Sequence, residues 1–345
     1  MKYYFAPLEG ITGYIYRNAL EKYFPGTDRY FTPFIAPDQT KILRTKETRD
    51  VAPENNQVQE LIPQILTCNA EHFIMTAEAL KELGYQEINL NLGCPSGTVV
   101  ARGRGSGFLA YPDELDRFLE QIFDGTDVKI SIKTRIGKDH TEDAFRLMEI
   151  YAKYPLSELI IHPRTQKEFY RGLPHQELFG ELSEHFWHCA AEAEKQISCG
   201  NTEDKNTRKI PVCYNGNIMT EADYRKLIET FPQISAVMLG RGIIANPGLI
   251  RQLKTGIATD KKTLKAFHDE VMQGYLGYLR EEKNTLFRMK EMWVYMIHLF
   301  ADHEKHLKKI RKSQSLAEYG CVVQSLFAER ELLPEGPARW NLPQR

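Results

Sequence analysis

Residues 211–242 read PVCYNGNIMTEADYRKLIETFPQISAVMLGRG. Two short apolar, β-branched runs, Pro211–Asn215 and Ala236–Gly240, flank a segment of helical character, Glu221–Phe231. Thr220 stands where an N-cap belongs, with a side-chain oxygen able to accept from an early helical N–H. Strand, helix and strand in this order form a unit whose two strands lie parallel in one sheet. Each strand runs into a polar, glycine-containing turn: Asn215-Gly216-Asn217 after the first, Gly240-Arg241-Gly242 after the second.

The same alternation extends toward the N-terminus. Tyr3–Leu8, Arg29–Phe34, Leu61–Leu66, Glu87–Leu92, Val128–Lys133 and Glu158–His162 also read as strands. Tyr14–Phe24, Ala70–Leu83, Pro112–Phe123 and Glu142–Tyr154 read as helices between them. Eight strands within the first 240 residues predict an α/β fold, a closed (β/α)8 TIM barrel rather than an open doubly wound sheet. No GxGxxG follows the first strand, which speaks against a dinucleotide-binding Rossmann domain. From about Lys261 the strand signal ends. Phe267, Val271, Tyr275, Tyr278, Met289, Trp293, Met296 and Leu299 then recur at helical spacing. The predicted division is a catalytic barrel over 1–250 and a helical C-terminal domain over 260–335. Residues 190–209, AAEAEKQISCGNTEDKNTRK, are polar and are predicted to extend the preceding helix and loop at the surface.

A chain of 345 residues with 42% hydrophobic and 26% charged residues has the composition of a globular protein large enough to bury a full core. Its net charge of −1 excludes a general polycation, so nucleic-acid contact requires a local basic patch. The six cysteines are scattered without zinc-ligand spacing, which predicts reduced thiols and no metal site. MKYYFAPLEG lacks the apolar core and cleavage site of a signal peptide, and no apolar run approaches the ~18 residues of a spanning helix. These features predict a soluble, cytoplasmic protein without membrane association, and they point to no obligate protein partner.

Chemistry in a TIM barrel sits at the carboxyl ends of the strands. Pro7-Leu8-Glu9-Gly10, Gln64, Asn91 through Ser96, Lys133-Thr134-Arg135, His162-Pro163-Arg164, Asn215-Gly216-Asn217 and Gly240-Arg241-Gly242 all fall there, which describes a lined cavity. The last two turns follow strands seven and eight, the usual phosphate site of this fold. Their glycines let an anion approach backbone N–H groups, and Arg241 adds a forked donor. Lys133, on an otherwise apolar strand, needs an anionic partner or loses its proton; a reduced flavin or the carboxylate of Glu9 would each serve. Gly93 and Pro95 present Cys94 at a loop, although free cysteine is more often a small buried hydrophobe. Gln64 and His162 suit either ligand contact or neighbour satisfaction.

The motifs APLEG (6–10), PQ (63–64), NLGCPS (91–96) with its glycine-rich continuation to Gly107, KTR (133–135), IHPRT (161–165), YNGNI (214–218), LGRGIIANP (239–247) and FRMKEMW (287–293) resemble those of the tRNA-dihydrouridine synthases over about residues 1–330. The resemblance implies an FMN-binding TIM barrel followed by a helical domain, both binding tRNA, with NADPH as reductant. It implies hydride delivery from flavin N5 to uracil C6 and a proton from Cys94 to C5. Flavin contacts fall on Pro7, Leu8, Glu9, Gln64 and Lys133, and phosphate contacts on Asn215, Gly216, Asn217, Gly240 and Arg241. Asn91 and Arg135 fall at substrate positions and His162 near the cofactor. The sequence departs from the family pattern at Pro163 (usually Gly), Gln166 (usually Arg) and Asn217 (usually Asp). An unperturbed cysteine pKa of about 8.5 leaves the thiol protonated near neutrality, as an acid must be.

Lys283 to Lys312 contains eight Lys/Arg against three Asp/Glu, a candidate RNA face on which Arg288 and Lys290 are taken as contacts. Arg102, beside the cysteine loop, is a further candidate. The alternatives are a dihydroorotate-dehydrogenase-like flavin oxidoreductase acting on a free small molecule, a dihydrouridine synthase acting on rRNA, and a non-catalytic RNA-binding barrel.

Overall fold

The computed structural model describes residues 1–197 and 209–336. Its strands are β1 (Lys2–Phe5), β2 (Arg29–Phe31), β3 (Leu61–Ile62), β4 (Gln64–Ile65), β5 (Glu87–Leu92), β6 (Lys129–Arg135), β7 (Leu159–His162), β8 (Val212–Asn215) and β9 (Ala236–Leu239). They form one sheet in the order β3-β2-β1-β9-β8-β7-β6-β5-β4. Every pairing is parallel. The two edge strands are separated only by Pro63, so the edges meet within one chain segment and the sheet closes on itself. Proline has no N–H to give to a ladder. Its carbonyl still accepts from Asn89 N–H at 2.9 Å, and Ile35 bridges Ile65 above it. The fold is the predicted TIM barrel, with eight strand positions, one of them broken at Pro63.

Side chains alternate across each strand. Along β5, Ile88, Leu90 and Leu92 pack outward into the layer shared with the helices, leaving Glu87, Asn89 and Asn91 inside. Along β6, Ile130 and Ile132 pack outward, so Ser131, Lys133 and Arg135 share the inner face. The middle of the inner wall is apolar, with Tyr4, Phe31, Ile160, Cys213 and Met238, above a charged layer of Arg29, Glu87 and Glu158 at the amino ends. The wall becomes polar toward the carboxyl end. β1 stops at Phe5, short of the predicted Leu8, because Pro7 interrupts the ladder. β6 runs two residues beyond the predicted Lys133, which places that lysine within the strand.

The segment 190–197 continues the Gln176–Ile197 helix, while 198–208, including Cys199, lies outside the described residues. Beyond β9 come the helices Lys261–Leu279, Glu282–Met296, Glu304–Lys312 and Leu316–Glu329. They pack around the fully buried Trp293, whose Nε1 donates to Tyr319 Oη at 2.6 Å. Tyr319 Oη also meets His268 Nε2 at 2.6 Å, and His268 Nδ1 meets Asp269 at 2.9 Å. Burial lowers the pKa of His268, so the ring is neutral. The carboxylate needs a donor, which puts the proton on Nδ1 and makes Nε2 the acceptor for Tyr319. This group joins the barrel through Phe267, edge-on to Tyr16 (5.3 Å) and Phe24 (5.8 Å) of the Tyr14–Tyr23 helix and its end. Among the described residues, no helix is long and apolar enough to cross a membrane.

Candidate active site

A cavity of about 460 Å³ opens at the carboxyl ends of the strands. It brings together Pro7, Leu8, Glu9, Gln64, Asn91, Cys94, Lys133, Arg135, His162, Asn215, Gly216, Asn217, Gly240 and Arg241. That volume lies within the usual range for small-molecule sites, about 300–1,000 Å³.

Cys94 is held by its backbone. Asn91 Oδ1 accepts from Gly93 N–H (3.0 Å) and Cys94 N–H (2.9 Å), which fixes the turn leaving β5. Asn91 Nδ2 donates to Gln64 Oε1 (2.7 Å), Gln64 Nε2 to Asn89 Oδ1 (2.7 Å), and Asn89 Nδ2 to Ser131 Oγ (3.0 Å). This chain crosses three neighbouring strand positions and ends at the cysteine turn. The carbonyl of Cys94 accepts from Ser106 Oγ (2.8 Å) and Ser106 N–H (3.1 Å). Gly105 has φ +56°, and a Cβ there would lie 2.9 Å from Cys94 O, so the glycine run is needed for the loop to close on the cysteine. Burial raises the thiol pKa, and this outweighs the opposing influence of Arg135 and Lys133. The sulfur therefore keeps its proton at neutral pH.

The wall beside the cysteine turn is cationic. Burial, helped by Arg135, depresses the Lys133 ammonium to about 8. Among the described residues it has no carboxylate partner; Glu9 pairs instead with Lys46 at 2.6 Å, so that alternative is not taken. Arg135 gives Nε to Gly93 O (2.9 Å) and Nη1 to Thr165 O (2.8 Å), tying the cysteine turn to the loop after β7. Arg164 Nη1 meets His162 Nε2 at 2.9 Å. A guanidinium only donates, so His162 accepts through Nε2 and is neutral, in keeping with a pKa lowered by burial and the surrounding cations. Asn217 Oδ1 receives Arg241 Nη2 (2.8 Å) and Arg164 Nη1 (3.3 Å). A neutral amide orients both guanidiniums without cancelling their charge. Gly216 lies so close to Tyr214 that a Cβ would fall 2.1 Å from the phenol oxygen. Lys133, Arg135 and Arg241 thus line a cavity in which the one carboxylate among the described residues, Glu9, is already paired. An anionic ligand would complete it.

The three outlying candidates sit elsewhere. Arg102 is exposed on the turn after Val100 and does not line the cavity. Arg288 gives Nη1 to Gly10 O (3.0 Å) and pairs with Glu291 (3.0 Å), clamping its helix to the loop after β1. Lys290 Nζ donates to the carbonyls of Arg311 and Ser313, capping the end of the Glu304–Lys312 helix. The sequence reading also missed lining residues. Phe169, at φ 51°, and Tyr170 come from the loop after β7, with Tyr170 lying 4.6 Å from the Arg241 guanidinium. Tyr295 enters from the Glu282–Met296 helix, two turns beyond Arg288 and on the same face, a spacing visible in the sequence.

A closed parallel barrel with chemistry-bearing side chains gathered at its carboxyl end is the architecture of a TIM-barrel enzyme. The structure is similar to that of morphinone reductase, with a TM-score of 0.50 and 14% identity over 76% of this chain and 88% of the other. That likeness shows the fold. The family model for dihydrouridine synthase matches residues 4–178 and 202–327, and the chain belongs to that family of enzymes. It is 24% identical to tRNA-dihydrouridine synthase B of Pasteurella multocida, over 81% of this chain and 76% of the relative. It is 27% identical to a probable tRNA-dihydrouridine synthase of Staphylococcus aureus (strain COL), over 97% and 93%. It is also 27% identical to tRNA-dihydrouridine(16) synthase of Aquipseudomonas alcaligenes, over 72% and 73%.

Proposed function

We propose that this enzyme reduces uridine to 5,6-dihydrouridine in tRNA, in the cytoplasm, with FMN as bound cofactor and NADPH as reductant. The observation that carries the reading is the pairing, in one cavity, of a protonated thiol held by Asn91 with a lysine, Lys133, that has no carboxylate partner among the described residues. The residues fit FMN. The Asn217–Arg241 pair and the closely packed glycine turns at Gly216 and Gly240 suit its phosphate, supported by Asn215. The unpartnered Lys133 suits the electron-rich edge of its ring, beside Pro7, Leu8, Glu9, Gln64 and His162. When bound, FMN supplies the hydride that its N5 delivers to C6 of uracil.

The chain's own part is to bind, orient and protonate. Charge left at C5 and O4 calls for an acid on that side of the ring, and the half-buried Cys94 thiol supplies the proton to C5. Asn91 and Arg135 act through the Gly93–Cys94 turn, setting where the sulfur stands. A uridine reaches such a cavity only unstacked, so a flexible part of an RNA is the fitting substrate. We take residues 1–250 as the catalytic domain and 260–335 as the RNA-binding domain. Lys305, Lys308, Lys309, Arg311 and Lys312, all exposed on one helix, form its basic face. Mapping dihydrouridine in total RNA from cells with and without the gene tests the reading. Loss at one or a few tRNA positions is expected. An unchanged tRNA map, or loss in rRNA alone, would overturn it.

A further inference from the structure

A second pocket, of about 200 Å³, lies between the barrel and the C-terminal helices. Tyr14, Tyr278, Leu279, Arg288, Lys46 and Gly10 are among its lining residues. It belongs to the same trough as the main cavity. Pro33 lines both, and the Glu9–Lys46 ion pair spans them, Glu9 lining one and Lys46 the other. The volume is below the ~300 Å³ where sites for drug-sized ligands begin, so it suits one flat ring rather than a cofactor.

We propose that this pocket holds a second, unstacked nucleobase of the same RNA strand, packed against Tyr14 and Tyr278. The inference rests on the reading that the substrate is an RNA. Three observations carry it. The two tyrosine rings stand perpendicular at 6.0 Å, so one offers a face to a base while the other offers an edge. Their hydroxyls make no hydrogen bond among the described residues and remain available to a base edge. Finally, an exposed cation stands at the mouth. The Arg49 guanidinium lies 5.6 Å from the centre of the Tyr278 ring, is exposed, and has no carboxylate partner among the described residues.

The nearby carboxylates are already engaged. Asp50 is held by Arg17 (3.1 Å) and by Tyr14 N–H (2.7 Å). Glu291 is held by Arg288 (3.0 Å), and Glu47 accepts from Arg44 N–H (2.8 Å). An aromatic floor with an unpaired guanidinium above it is the pairing that single-stranded nucleic-acid sites use, stacking on the base and charge on the backbone. Anchoring a neighbouring base there would fix how the strand enters the main cavity without touching the reacting ring.

The test measures Kd and KM for unmodified tRNA with the full-length flavoprotein. Tyr278→Ala is expected to weaken binding about tenfold, within the range that loss of one base–aromatic stack gives, and the loss should appear in KM rather than in kcat. Tyr278→Phe, which keeps the ring, is expected to restore most of it. Arg49→Ala, at an exposed side chain, is expected to weaken binding a few-fold and to flatten its salt dependence by about one unit of slope. That variant keeps the test decisive should Tyr278→Ala fold poorly. An unchanged Kd in both Tyr278→Ala and Arg49→Ala would overturn the proposal, whatever else, such as a peptide, fills the pocket. So would a Tyr278→Phe variant as weak as the alanine one. A wild-type protein that binds tRNA but forms no dihydrouridine would refute the assigned reaction alone, and the Kd comparison would still decide the pocket.

Discussion

Replacing Asn91 by alanine removes three hydrogen bonds at once, two from the backbone of Gly93 and Cys94 and one to Gln64. Each buried group left unsatisfied costs about 1–3 kcal/mol. Water from the adjoining cavity reaches part of the vacated space, so about 3 kcal/mol is expected for the three. For 345 residues at about 2.1 cal/mol/K of unfolding entropy each, that lowers Tm by about 4 °C. The larger effect should be kinetic, because a turn freed by about 1 Å misplaces the thiol and costs about 100-fold in rate. Asn91→Asp discriminates between these effects. Its carboxylate still accepts from Gly93 and Cys94, and the amides of Gln64 and Asn89 can both flip to give it a donor, since Ser131 Oγ serves equally as donor or acceptor. The aspartate variant should therefore recover most of the rate. Melting curves and single-turnover formation of dihydrouridine on unmodified tRNA provide the assay. An alanine variant with wild-type rate, or an aspartate variant no better than alanine, would refute the positioning role of Asn91.

Three further outcomes follow from the same geometry. Lys133 is a cation below about 8 and neutral above it, so the affinity of the flavin-free protein for FMN should be level at lower pH and fall above pH 8 by up to tenfold per unit; Lys133→Met should bind weakly at all pH values and lose that slope, read by flavin fluorescence quenching. Gly105→Ala, at φ +56° and with Cβ 2.9 Å from Cys94 O, should reduce turnover while leaving FMN bound, measured as product formed per flavin. Trp293→Ala should cost about 3–5 kcal/mol in urea unfolding, because it opens a cavity among the C-terminal helices and leaves Tyr319 Oη short of a donor; a loss under 1 kcal/mol would show that those helices are held by something else.

Much of this arrangement could be read from the chain because the barrel uses strong local signals. Each strand is a short β-branched run, and the polar residues that interrupt it fall at the carboxyl end, where the fold exposes them. Strand ends were less legible. Pro7 stops β1 early, and β6 continues through Thr134 because that side chain packs outward and reaches Tyr151 Oη at 3.0 Å, a contact made across the chain. The cavity's glycines were legible as turns, but the reason for Gly105, contact with the Cys94 carbonyl, needed three dimensions. Basic residues were the weakest signal. Lys290 and Arg288 look like solvent-facing charges in a run of lysines and arginines, yet both are engaged with backbone carbonyls of other elements. Tyr170 reaches the cavity from a loop, where neither strand periodicity nor motif spacing marks it, whereas Tyr295 comes from a distant helix and is marked only by its seven-residue spacing from Arg288.

The central claim is that the Cys94 thiol donates the proton at C5, and its most direct measurement is dihydrouridine formed per bound flavin by Cys94→Ala on unmodified tRNA. The account predicts flavin content equal to that of the unaltered protein, with product formation lower by about 10²–10⁴, the usual contribution of a positioned acid. Turnover at the unaltered rate with flavin in place would contradict it.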